Sequence, residues 1–132
     1  MISCELLSDV YRADIYEARI VINEYESTIY TKEKDTSTTS GHYTSRKNLY
    51  EVANDIKQWS IKNGYILGSS ANRDLKYYCD VVFIAPSEAY SCYVVYASLS
   101  DTEYQAIFDA GLWIWEQKNE QQTNSMKDEI DD

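Results

Sequence analysis

The chain holds few of the groups that carry out chemistry. Its one histidine, His42, stands in the polar stretch Asp35 to Ser45 with no nucleophile motif beside it. A Ser-His or Cys-His catalyst needs a base fixed by its surroundings, and a solvated loop does not supply one. Cys4, Cys79 and Cys92 form no closely spaced pair, so the paired ligand spacing of a zinc site is missing. Gly41, Gly64, Gly68 and Gly111 stand alone, which leaves neither a Walker loop nor a dinucleotide fingerprint. The acids from Asp128 to Asp132 lack the ordered geometry that Mg²⁺ or Ca²⁺ demands. The reading is a non-enzymatic protein with no metal and no cofactor. A carboxylate-only enzyme is the remaining catalytic option, and no pair of acids stands out for it.

Negative charge is the feature that exceeds background. Among the 132 residues, 22 acids face 12 bases for a formal net charge of -10. Such a surface does not hold nucleic acid by counterion release, nor does it dock on an anionic membrane. The imbalance is uneven: residues 67–132 carry twelve acids and four bases, and residues 101–132 nine and two. Helical spacing over the latter places Tyr104, Ile107, Phe108, Gly111, Ile114 and Trp115 on one broad apolar face. Asp109, Glu116 and Glu120 fall within about 40° of one another on the opposite side, with Trp113 beside them. Asp101 and Glu103 open this helix; Ser100 with Glu103 matches a capping box.

These residues are the candidate partner-binding set. Charge raises the association rate with a basic partner, and an aromatic such as Trp113 supplies an anchor. Direct imitation of a nucleic-acid strand is sparse. Glu116 and Glu120 lie about 6 Å apart along a helix, against about 3.4 Å between successive phosphates.

The elements that must position this surface follow from periodicity. Residues 15–23 alternate as a strand, with Tyr16, Ala18, Ile20 and Ile22 on one face, and residues 25–32 return as the second arm of a hairpin. Residues 46–63 form a helix, with Leu49, Val52, Ala53, Ile56 and Trp59 inward, Ser45 as its cap and Gly64 as its stop. Residues 65–67 begin a short strand. The segments 75–85 and 90–98 are the strongest strands, joined through Pro86-Ser87-Glu88-Ala89. That loop pairs Tyr77, Cys79, Val81 and Phe83 with Ser98, Tyr96, Val94 and Cys92. It puts Tyr78 and Tyr93 together on the other face as a second binding patch. Both faces are apolar, so one of them needs a cover beyond the helices.

The fold class is α+β: an antiparallel sheet, made of an N-terminal hairpin and a C-terminal meander, with two amphipathic helices packed on it. Residues 1–120 form one domain and 121–132 an acidic, frayed tail. Residues 1–12 are compatible with strand or helix. The order helix, strands, helix over 46–117 resembles the double-stranded-RNA-binding domain. That family, however, opens its second helix with a lysine-rich phosphate clamp, where this chain has Asp101 and Glu103.

The expected function is a small cytoplasmic inhibitor that occupies the basic, nucleic-acid-binding surface of a partner protein. By analogy of size and acidity, a virus- or prophage-encoded anti-CRISPR or anti-restriction protein acting in the host cytoplasm fits, as does an immunity protein against a basic toxin nuclease. A homodimeric accessory protein, burying the second sheet face against its own copy, is the alternative from another class.

Overall fold

In a computed structural model, residues 2–34, 42–84 and 92–130 are described, with side chains for all of these except 42, 43, 92 and 121–130. The order is α1 (Cys4–Tyr11), β1 (Asp14–Ile22), β2 (Ser27–Lys34), β3 (His42–Asn48), α2 (Leu49–Lys62), β4 (Tyr65–Ala71), β5 (Tyr77–Ile84), β6 (Cys92–Ser100) and α3 (Glu103–Ile130). The strands make two antiparallel three-stranded sheets, β1–β2–β3 and β4–β5–β6. The α+β class holds, with the strands divided between two sheets and a third helix added. α1 packs on β1, α2 touches β2, β3 and β4, and α3 lies across all of β4–β6. The three helices also touch one another, so they join the sheets.

Local chemistry explains each boundary. The Ser3 side chain accepts from Leu6 N at 3.2 Å and starts α1, burying Leu6 and Leu7. The helix ends on Arg12 in the left-handed region, with φ 53. In β1 a bulge between Ile15 and Glu17 shifts the alternation by one residue. Ile15 therefore joins Ala18 and Ile20 against the core, while Tyr16 and Ile22 of the expected inward set are exposed.

Residues 42–48, expected as loop up to Ser45 and as the start of the helix from 46, pair along β2 as an edge strand. Backbone bonds suffice for that position, and polar side chains protect an open edge, so no apolar alternation marks it. Residues 35–41 lie outside the described residues, as does the side chain of His42. With residues up to 48 committed to β3, the cap of α2 moves from Ser45 to Asn48, whose Oδ1 accepts from Tyr50 N and Glu51 N. At the other end Gly64 (φ +89) donates its N–H to Ile61 O, as the expected stop requires.

The β5–β6 register also differs. Cys79 faces Ser98 and Val81 faces Tyr96; a bulge then leaves Val82 facing Val94 and Phe83 facing Tyr93. The connection assumed through Pro86 to Ala89 lies outside the described residues. β6 runs on to Ser100, so α3 starts at Glu103. Thr102, rather than Ser100, offers the capping oxygen, accepting from Gln105 N at 3.4 Å. Helical backbone runs on to Ile130.

The core centres on α3. Ala106, Ile107, Phe108, Ala110 and Ile114 are buried together with Leu6, Leu7, Ile29, Val52, Ile56, Cys79 and Val81. Gly111 is the point of closest approach: a Cβ there would meet Ile56 Cγ2 at 2.7 Å and Leu6 Cδ2 at 3.2 Å. Gly to Ala gains about 1 kcal/mol of helix propensity, whereas overpacking a stiff β-branched neighbour costs about 1–3 kcal/mol. Packing wins. Gly111→Ala is expected to lower the urea midpoint, and a raised midpoint would show that the helices can spread at no cost.

Candidate functional site

The acids of α3 do not act as one stripe. Asp101 is ion-paired with Lys76. Glu103 Oε1 accepts from Ser69 Oγ at 2.8 Å, and Ser69 in turn accepts from Lys57 Nζ at 3.4 Å. Asp109 accepts from Gln105 Nε2 at 2.9 Å within its own helix. Glu116 and Glu120 are exposed, and no hydrogen bond or ion pair engages them among the described residues. Only these two of the expected acids point freely outward. A lysine, a serine hydroxyl or a glutamine amide engages each of the others, and such pairs are worth little as a field for a partner.

Trp113 is not an outward anchor. It stacks on Tyr96 with centroids 5.0 Å apart and planes at 7°, and meets Tyr65 edge-on at 6.0 Å. Tyr65 continues to Phe83, and Phe83 to Tyr93, so one row of rings crosses β4, β5 and β6 beside α3. The apolar arc of α3 is wider than its spacing suggests, because a sheet lies on one side and two helices on the other. The register also separates the two tyrosines expected to share a patch. Tyr93, opposite Phe83, lies on the helix side, whereas Tyr78, opposite Leu99, lies on the outer face.

The helices bring together charges that are distant in sequence. Asp9 Oδ2 accepts from Trp59 Nε1 at 2.9 Å and from Lys118 Nζ at 3.1 Å. The Tyr11 hydroxyl donates to Asp55 Oδ2 at 2.6 Å, and Lys47 Nζ sits 4.2 Å from the centre of the Tyr11 ring. A cavity of about 470 Å³ opens here, with Arg12 and Lys62 on its rim. Both carboxylates already accept hydrogen bonds, so this cluster is a tie between α1, α2 and α3.

A second cleft, of about 640 Å³, lies between α1, the start of β1 and α3. Its lining contains Glu5, Asp9 and Asp14 as carboxylates, Tyr16 and Trp115 as rings, and no lysine or arginine. Asp9 is neutralised by Lys118 from the other side; Glu5 and Asp14 are not. The backbone amide of Glu5 and the Ser3 hydroxyl hold the Glu5 carboxyl below its usual range, so it stays charged. The neighbouring Cys4 thiol is pushed up, first by burial and then by the charges of Glu5 and Glu17. Glu116, the residue after Trp115, is exposed but does not line the cleft. Periodicity marks neither Glu5 nor Asp14 and assigns Tyr16 to the inward face of β1, because the cleft forms only when α1 docks beside α3. Among the described residues no group of three or more His, Cys, Asp or Glu side chains is placed to hold a metal ion.

Burial also silences the thiol in the second sheet: Cys79 is fully buried and its pKa is pushed up to about 12. Burial, and then the bond to Asp55, push the Tyr11 hydroxyl up as well. The folded chain therefore keeps protons that the unfolded chain releases, and stability falls as pH rises from about 8.5 towards 12. The urea midpoint is expected to drop across that window, and less steeply in Tyr11→Phe. A flat midpoint would contradict the burial of both groups.

The chain matches no protein-family model, no curated protein and no solved structure at a significant level.

Proposed function

We propose that this chain is a non-catalytic inhibitor that binds the basic, nucleic-acid-binding surface of another protein. The observation that carries the reading is the cleft of Glu5, Asp14, Tyr16 and Trp115, where carboxylates and aromatic rings converge without a cation in the lining. A guanidinium or ammonium group is matched by such a lining: carboxylates pair with it and ring faces attract it. Glu116 and Glu120 extend the negative surface along α3, and the net charge of -10 speeds encounter with a positive partner. By analogy of size and acidity, the reading extends to an antagonist of a nuclease, whether an anti-CRISPR, anti-restriction or toxin-immunity protein. Action in the cytoplasm is part of the proposal. Among the described residues no helix is long and apolar enough to cross a membrane.

The test is retention on an immobilised arginine-rich peptide at about 50 mM and about 500 mM salt. Wild type is expected to bind at the lower salt and elute at the higher. Glu5→Lys with Asp14→Lys should lose retention at low salt. Glu24→Lys with Asp74→Lys, the same charge change at two exposed positions elsewhere, should keep most of it. Equal loss in both variants would show that net charge, and not the cleft, holds the peptide.

A further inference from the structure

The second sheet has a face that nothing in the described fold covers. Alternation from the buried pair Cys79 and Val81 turns Tyr78, Asp80, Val82 and Ile84 away from α3. The pairing sets three rows across this outer face: Ile66–Val82–Val94, Gly68–Asp80–Ala97 and Ser70–Tyr78–Leu99. Val94 is 56% exposed and Leu99 60%, and Ile66 and Ile84 are exposed as well. At the tip of the β4–β5 hairpin, Leu75 is 85% exposed and held at φ 60, a backbone conformation that disfavours a branched side chain. A folded chain gains nothing from leaving these groups in water, and exposed apolar patches of this kind mark interaction surfaces.

Asp80 decides what covers the face. Its half-buried carboxylate lies between Gly68 and Ala97, the two smallest side chains there, so it is reachable from outside. No hydrogen bond or ion pair engages it among the described residues. A second copy docked about a two-fold axis through this centre would bring Asp80 against Asp80, two like charges in a drying interface. The net charge of -10 opposes self-association further. A basic partner has the opposite sign.

We propose that the outer face of β4–β6 docks an apolar segment of a basic partner protein, which places one arginine or lysine on Asp80. The inference rests on the reading of the chain as a binder of basic proteins, but uses a surface separate from the Glu5–Asp14 cleft. β5 is 8 residues long, or about 26 Å, and accommodates a helix of about 15 residues.

The test selects binders to the full chain from a displayed library of helical peptides of about 15 residues, with counter-selection on Val94→Ser/Leu99→Ser. Both changes are at exposed positions, and an unaltered melting curve verifies folding. Enriched peptides are expected to carry one apolar stripe with a central arginine or lysine. They should bind Asp80→Asn at least about tenfold more weakly than wild type, yet bind Glu5→Lys/Asp14→Lys undiminished. Three results would overturn the proposal: no enrichment that depends on Val94 and Leu99, selected peptides indifferent to Asp80→Asn, or a wild-type dimer that Val94→Ser/Leu99→Ser dissociates. The second of these, with binding lost only to the Glu5→Lys/Asp14→Lys variant, would leave the cleft as the sole binding surface.

Discussion

The burial of α3 is the constraint from which the rest of the structure follows. Its residues Ala106, Ile107, Phe108, Ala110, Gly111 and Ile114 are surrounded by the second sheet on one side and by α1 and α2 on the other. Gly111 sets the spacing, because Ile56 occupies the room that a side chain there would take. A helix enclosed in this way exposes few residues: over 103–120 they are Glu103, Glu116 and Glu120. The same enclosure draws Trp113 onto Tyr96, so a ring that helical geometry places beside the acids is half-buried against the core. Function therefore has little of α3 to use.

One layer of helices cannot cover both faces of both sheets. The first sheet manages this with polar residues. Its outer face carries Arg19, Tyr30 and Arg46 in one row and Glu17 with Lys32 in another, and the Arg19 guanidinium lies over the Tyr30 ring at 5.4 Å. The second sheet does not follow that pattern. Its outer face keeps Ile66, Val82, Ile84, Val94 and Leu99, and one carboxylate at the centre. The contrast between a polar and an apolar outer face on two sheets of equal strand number locates the surface that another molecule would cover.

Much of this was legible in the sequence and some was not, for identifiable reasons. α2 and the first turns of α3 declare themselves because one side is buried, which imposes helical spacing on Leu49, Val52, Ile56, Ile107 and Ile114. Cys79 and Val81 mark the inner face of β5 by the same logic at a period of two. β3 was invisible because an edge strand pairs through its backbone and tolerates Thr44, Ser45 and Arg46. Ala18 and Ile20 of β1 face the core as their alternation indicates, but a bulge between Ile15 and Glu17 changes the phase at the start of the strand and exchanges Tyr16 for Ile15. The same effect at Val95 parted Tyr78 from Tyr93. The acidic character was legible, yet its organisation was not. Asp101 and Asp109 are engaged within the chain, and Glu5 and Asp14 join Trp115 only through a tertiary contact about a hundred residues long in sequence.

The central claim is that negative groups converge at the α1–α3 end to receive a cationic side chain. Chemical-shift mapping of the labelled protein with an arginine-rich peptide tests it most directly. Shifts concentrated on the amides of Glu5, Asp14 and Tyr16 and on the Trp115 indole are the expected result. Small shifts spread evenly over all exposed acids, Glu24 and Asp74 included, would contradict it.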